Sequence, residues 1–171
     1  MARRWGPAAR AVVIGLSLWG MSLAAGGVAI AAPPPADRLE GYYYPKVTSR
    51  ESYVSRAKTL EDSTRTRRLG FVTGLTEQLA DMPYAPSYAI FAKGDVANRL
   101  IIVAYNDGEL NTVYRARALL ASLTALARLT PLFQQLQVEE LFTFFDLCKM
   151  LGFATVTVSD GRRFTHQVVL K

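Results

Sequence analysis

The chain of 171 residues carries 20 basic and 14 acidic residues, together with one cysteine and one histidine. A single cysteine excludes an intrachain disulfide, and one cysteine with one histidine excludes a zinc cluster built from these two residue types. For the latter reason we do not expect a metal ion as a ligand. No motif of a nucleic-acid-binding module is present, so we do not expect nucleic acid as a partner.

The N-terminal 31 residues have the order of a secretory signal peptide. Three arginines precede an uncharged run over residues 11–32, and Ala29 and Ala31 form an A-x-A cleavage site. We therefore predict cleavage after Ala31 and a periplasmic or secreted protein. The run is also long enough for a membrane-spanning helix of about 20 residues. An uncleaved inner-membrane anchor over residues 11–32 is the alternative.

Removal of the signal peptide leaves a flexible Pro- and Ala-rich tether over residues 32–41 and enough chain for one domain over residues 42–171. The net charge then falls from +6 to +3, because the signal peptide holds three basic residues and no acidic one. Residues 46–68 hold seven basic and three acidic residues. Such a segment suits an acidic protein or an anionic membrane surface, and a solvated, salt-bridged face is the alternative.

The first elements of the domain have weak local signals. Thr48 and Glu51 have the spacing of a capping box, which predicts a short helix from about Ser49 to Lys58. Leu69 and Phe71 alternate with Arg68 and Gly70, which predicts a strand over residues 67–73. Residues 74–80 are expected either to extend that strand or to form a helix.

The middle of the domain has the clearest strands, over residues 87–93 and 99–105. The second contains an apolar run over residues 100–104, which is typical of a strand that is buried on both faces. A connection of hairpin length joins them.

Two helices follow. The longer is predicted over residues 112–129 and ends at Thr130-Pro131. Its inward stripe consists of Val113, Ala116, Leu120, Leu123 and Ala127. The second is predicted over residues 138–151. Its inward residues are Leu141, Phe144, Phe145, Cys148 and Leu151.

The last unit is a predicted β-hairpin with a three-residue loop, Ser159 to Gly161, and Gly161 in the left-handed conformation. This loop would pair Val156 with Phe164 and keep the apolar faces of both strands together. The predicted fold class is therefore α+β. A largely antiparallel β-sheet is packed mainly on one face by two main helices and ends in a C-terminal β-hairpin.

Candidate catalytic residues are few. Cys148 and His166 are the only possible thiol–imidazole pair, but both lie on apolar faces, where a buried thiol and a packed histidine are the more common outcome. Asp160 could join an acidic loop edge with Asp107 and Glu109, although Asp before Gly is first a turn residue.

Four basic residues form the candidate partner-binding patch. They are Arg65, Arg67, Arg68 and Lys93, which would converge if the strand from Arg67 lay near the strand that ends at Lys93. Arginine side chains suit phosphate, carboxylate or acidic protein partners.

Several segments resemble small exported proteins of proteobacteria. The matching segments are residues 68–76 (RLGFVTGLT), 88–94 (YAIFAKG), 114–120 (YRARALL), 142–147 (FTFFDL), 158–161 (VSDG) and 166–168 (HQV). Such proteins are often labelled "molybdopterin-guanine dinucleotide biosynthesis protein A", so the resemblance implies a role in making that cofactor. The chain departs from the guanylyltransferases of that name, because it has no glycine-rich nucleotide loop ending in Arg-Met-Gly.

The first functional hypothesis is therefore a non-enzymatic accessory or binding protein without a cofactor, which contacts an acidic protein or anionic surface through its basic segment. The second is a small hydrolase or transferase that uses His166 and a carboxylate. The cofactor-biosynthesis role is the third.

Overall fold

The computed structural model describes residues 46–106, 108–137 and 141–171. They all fall in the compact unit Pro33–Lys171. The predicted signal peptide, the alternative anchor and the predicted tether lie outside the described residues. The described elements are β1 (Ser49–Tyr53), α1 (Arg65–Ala80), β2 (Tyr88–Lys93), β3 (Arg99–Ala104), α2 (Val113–Leu129), α3 (Pro131–Leu136), α4 (Phe144–Met150), β4 (Thr155–Ser159) and β5 (Thr165–Leu170). The predicted α+β class and the C-terminal hairpin are confirmed.

One five-stranded sheet has the order β1-β5-β4-β3-β2. The hairpins β2–β3 and β4–β5 are antiparallel, whereas β3 pairs with β4, and β1 with β5, in parallel. The segment with α1 carries the chain from the β1 edge of the sheet to the β2 edge. The segment with α2, α3 and α4 is the crossover that lets β4 run parallel to β3.

One hydrophobic core joins all four helices to a single face of the sheet. Phe71 of α1 lies at its centre, with ring centroids 5.5 Å from Phe133, 6.2 Å from Phe153 and 6.5 Å from Phe144. The opposite face is also closed at its middle, since Ile101 is 1% exposed. The apolar run of β3 is therefore buried on both faces, as predicted.

The helix predicted near residues 49–58 is wrong, because residues 49–53 form β1. Thr48 does not cap a helix: its hydroxyl donates to the carbonyl of Thr165 and accepts from the amide of Thr165, each at 3.0 Å. These bonds align β1 with β5, and the burial of β1 then alternates with a period of two. A long-range strand pairing thus outweighs a weak local capping signal.

The strand predicted over residues 67–73 is also wrong, because these residues belong to helix α1. The side chain of Thr64 caps the helix by accepting from the amide of Arg67. The buried residues are Arg68, Phe71, Val72, Leu75 and Leu79. Their spacing is that of one helical stripe, which becomes visible only when the segment is read through to Leu79.

The longest predicted helix is confirmed as α2, with Thr112 as N-cap and Thr130 after its last residue. The short helix α3 that begins at Pro131 was not predicted. Helix α4 is shorter than predicted and begins after Thr143. Leu141, predicted to face inward, is 72% exposed, because it precedes the helix. Residues 138–140 lie outside the described residues.

The register of the C-terminal hairpin differs from the prediction by four residues. Val156 pairs with Val168 and Val158 pairs with His166, so the loop is longer than three residues. The Asp160 carboxylate explains the length, because it accepts from three successive backbone amides, those of residues 162–164. A register shift by an even number of residues keeps the apolar faces of the two strands together. Gly161 has the predicted left-handed conformation, with φ +76°.

Candidate functional site

The predicted basic patch is divided by the fold. Arg68 is only 6% exposed, and its guanidinium donates to the carbonyls of Val96, Ser63 and Leu151 at 2.8–3.1 Å. It therefore binds helix α1 to three neighbouring connections rather than facing a partner. Arg67 pairs with Asp62, and Arg65 is exposed one turn from Arg68. A binding role for Arg65, Arg67 and Lys93 stays a prediction.

Two of the candidate catalytic residues, Cys148 and Asp160, have structural roles. The Cys148 thiol is fully buried in the core, and this burial raises its pKa well above the ordinary value. The Asp160 carboxylate holds the β4–β5 turn. Burial raises the pKa of Asp160, but the backbone amides that donate to it outweigh burial and lower the pKa. A buried neutral thiol and a turn-holding carboxylate are both poorly placed for chemistry.

His166 lies at the centre of a polar network between the two parallel strands β1 and β5. The ring is 1% exposed. Its Nδ1 lies 3.1 Å from the hydroxyl of Ser49, and its Nε2 lies 3.1 Å from a carboxylate oxygen of Glu51. The Glu51 contact is within ion-pair distance but lacks hydrogen-bond geometry, which leaves Nε2 without a hydrogen-bonding partner. Both ring nitrogens therefore face β1, and neither faces Cys148.

Glu51 connects this buried network to the surface. Its second carboxylate oxygen accepts from Arg117 of helix α2. Burial raises the pKa of Glu51, but the hydrogen bond from Arg117 and the charges of Arg117 and His166 outweigh burial, so the pKa is lowered. Glu51 is therefore an anion near neutral pH. Its negative charge is balanced by Arg117 and is not presented alone to solvent.

An open groove of about 410 Å³ begins at this ion pair and lies between β1, α2 and the start of α4; we call it the β1 groove. Strand β1 contributes Glu51 and Tyr53. The remaining lining residues are Arg117, Leu120, Ala121, Thr124, Thr143, Phe144 and Phe145. The α2 residues among them are spaced three or four apart, so they form one stripe beside the buried stripe of that helix. Neither Ser49 nor His166 lines the groove.

The far end of the β1 groove is held rigid by the buried carboxylate of Asp146. One carboxylate oxygen accepts from Ser55 and the amide of Arg56, at 2.9 and 2.8 Å. The other accepts from Tyr53 and from the amide and hydroxyl of Thr143, at 2.9–3.0 Å. Burial raises the pKa of Asp146, but these hydrogen bonds outweigh it and lower the pKa. This network attaches the end of β1 to the start of α4.

Four exposed cations lie in β1 or within a few residues of its ends in the chain, and we call them the basic edge: Lys46, Arg50, Arg56 and Lys58. Strand β1 is at the end of the strand order, so among the described strands only β5 pairs with it. Of the basic segment predicted from the sequence, Arg50 therefore lies in an edge strand beside the β1 groove, and Lys46, Arg56 and Lys58 flank that strand in the chain.

Sequence reasoning missed the groove and most of its residues. Thr143 and Asp146 have the T-x-x-D spacing of a capping box, which could have revealed the start of α4. The contacts among Ser49, Glu51, His166 and Arg117 have no local signal, because these residues meet only through sheet pairing and helix packing.

Among the described residues, no group of three or more His, Cys, Asp or Glu side chains is placed to hold a metal ion. The part of the chain that the structure describes also has no helix with the length and apolar character needed to cross a membrane. Comparisons with protein families, curated proteins and solved structures found no match to this chain. The geometry of the β1 groove and the basic edge therefore carries the functional proposal.

Proposed function

We propose that this protein is an exported, non-enzymatic binding module that contacts an acidic protein partner through the basic edge. The signal-peptide pattern of residues 1–31 supports export to the periplasm or the medium. The observation that carries the binding role is that four exposed cations lie in or next to β1, which is at the end of the described strand order. Glu51, the acidic residue of that strand, is already paired with Arg117 and His166.

The physical basis is charge complementarity. Exposed cations attract an acidic surface over roughly one Debye length, about 8 Å at physiological salt. They add modest free energy each, but together they set the orientation and the rate of association. The partner contact should therefore weaken with salt and depend on residues such as Arg50.

A fluorescent peptide of glutamates tests the proposal, with the purified protein and an anisotropy readout. We expect binding that weakens steeply with salt, and a loss of about threefold to fivefold in Arg50→Glu. Arg163→Glu is the matched control, because Arg163 is equally an exposed arginine but lies in the β4–β5 loop. Equal losses in both variants, or no binding at low salt, would contradict the proposal. Vesicles with anionic lipid in place of the peptide test a membrane surface as the partner.

A second candidate function is acyl hydrolysis, which is favoured by one observation. Ser49, His166 and Glu51 form a hydroxyl–imidazole–carboxylate series with 3.1 Å contacts on both sides of the ring. Such a series is the arrangement that activates a serine nucleophile. The 1% exposure of His166 weighs against it. Labelling by a fluorophosphonate that is lost in Ser49→Ala would support hydrolysis, and an unlabelled wild-type protein would dismiss it.

A further inference from the structure

We propose that the β1 groove and the outer edge of β1 together bind an extended segment of the acidic partner, which adds to the sheet as a further strand. This inference rests on the proposed function and specifies the form of the bound segment. Strand addition requires an edge strand whose outward backbone groups are available, a groove that accepts side chains, and a charge pattern that selects the sequence of the bound segment. The described residues of β1 and α2 supply all three.

The backbone of β1 supplies the free groups. The amide of Lys171 donates to the carbonyl of Tyr53, and the amide of Ser55 donates to the carbonyl of Lys171, so Tyr53 and Ser55 face β5. In a parallel pair, alternate residues direct their amide and carbonyl groups to opposite sides. Arg50 and Ser52 therefore direct theirs away from β5, where no described strand pairs with them. Such an edge is a template for another chain.

The β1 groove supplies the contact for side chains. Alternate side chains of an added strand would point to the helix face of the sheet, as Glu51 and Tyr53 of β1 do. There they would meet Tyr53, Leu120 and Phe145, so apolar residues fit. The Tyr53 and Phe145 rings already pack at 4.9 Å and form one wall. The other side chains of the strand would lie on the opposite face, next to the exposed Arg50.

The charges select an acidic segment and disfavour a second copy of this chain. The bound segment should alternate apolar and acidic residues, because its apolar face meets the groove while its acidic face meets the basic edge. If two β1 strands paired with each other, the basic edge of one copy would lie against the basic edge of the other. Like charges on adjacent strands are destabilising. A heterologous acidic segment is therefore the preferred occupant.

The test uses the purified protein and the fluorescent heptapeptide acetyl-DVDFDVD-amide. Two further forms carry three backbone N-methyl groups each, either on the three apolar residues or on three of the aspartates. Strand addition uses the amides of only one set, because amides alternate in direction along a strand. We expect one N-methylated form to bind at least about tenfold more weakly than the other, as the loss of several ladder hydrogen bonds requires. Similar affinities for both forms would overturn strand addition.

A pair of variants on α2 tests the groove. Ala121 lines it, and Ala118 is an exposed alanine of the same helix that does not. Ala121→Trp should weaken the unmodified peptide by about tenfold or more because the indole fills the groove, whereas Ala118→Trp should bind within about twofold of wild type. Circular dichroism checks that both variants are folded. Equal binding by the two folded variants would remove the groove from the site.

The outcomes separate this inference from the proposed function. If both methylated forms bind alike and Ala121→Trp has no effect, but the peptide of glutamates still binds in a salt-dependent way, then the basic edge binds acidic partners without strand addition. If neither acidic peptide binds at low salt, the proposed function fails together with the inference. A small apolar molecule that fills the β1 groove without displacing the bound peptide would likewise refute peptide binding in the groove.

Discussion

The Asp146 network permits a sharp test of what holds β1 in place. Replacement of Asp146 by Asn keeps the shape of the side chain but turns one of its two oxygens into a donating amide. Each carboxylate oxygen of Asp146 accepts from one backbone amide, from Arg56 at 2.8 Å and from Thr143 at 2.9 Å. Hydroxyl donors such as those of Tyr53 and Ser55 can rotate to accept, but a backbone amide cannot. Whichever way the Asn side chain faces, one of these two partly buried backbone amides is left facing the donating amide group of the side chain.

The expected loss follows from that unmatched amide. A buried donor without a partner costs about 1–3 kcal/mol, and the remaining hydrogen bonds lose the benefit of the negative charge. We therefore expect Asp146→Asn to lower the free energy of unfolding by about 2–4 kcal/mol. Urea denaturation at pH 7, followed by far-UV circular dichroism, measures this value.

Asp160→Asn is the matched control. Asp160 accepts from three backbone amides, one more than Asp146, but all three donate to the same carboxylate oxygen. An asparagine there can keep that oxygen in place, so we expect a loss of about 1 kcal/mol or less. The reasoning is refuted if the two variants lose the same stability, or if Asp146→Asn costs less than Asp160→Asn.

The pH dependence provides a second measurement on the same variant. The pKa of Asp146 is lowered in the folded state, because its hydrogen bonds outweigh the effect of burial. A lowered folded pKa stabilises the protein above the unfolded carboxyl value of about 3.9, and this contribution is lost as the pH falls through the folded pKa. The stability difference between wild type and Asp146→Asn should therefore narrow from pH 7 towards pH 3. A constant difference would contradict the lowered pKa.

Three further predictions test individual placements. Arg68→Met should lower the free energy of unfolding by about 2–4 kcal/mol, because it removes the hydrogen bonds to three carbonyls, that of Leu151 being a buried contact. The exposed Arg65→Met should change it by under about 0.5 kcal/mol. Cys148 should react with iodoacetamide only after unfolding, since burial raises its pKa, and equal rates in the native protein and in urea would contradict this. Leu141→Ser should be nearly neutral in urea denaturation, whereas Leu151→Ser should cost about 3 kcal/mol or more, because only Leu151 is buried.

Local sequence signals were sufficient for elements with a strong and continuous pattern. Strands β2 and β3 and helix α2 were predicted to within a residue or two, because an apolar run or a helical stripe repeats over most of their length. The left-handed Gly161 was also predictable, since the turn residues Asp160-Gly161 limit the backbone.

Short elements were misassigned where the local pattern was ambiguous. Residues 49–53 hold one aromatic residue among four polar ones, so their pattern favours neither a helix nor a strand. The pairing with β5, which lies more than a hundred residues away, decides for a strand. Residues 67–73 show alternation by chance, and the helical stripe continues to Leu79. Propensity is a weak prior in such segments, and tertiary packing overrides it.

The sequence by itself determined the fold class, the basic character of residues 46–68 and the apolar faces of the long elements. These properties depend on composition and on periodicity, which each segment carries on its own. Only the tertiary structure placed Arg50 in an edge strand, put Glu51 between His166 and Arg117, and formed the β1 groove. Those contacts join residues that are distant in the chain, and the hydrogen bonds and packing that hold them exist only after β1 docks against β5 and α4.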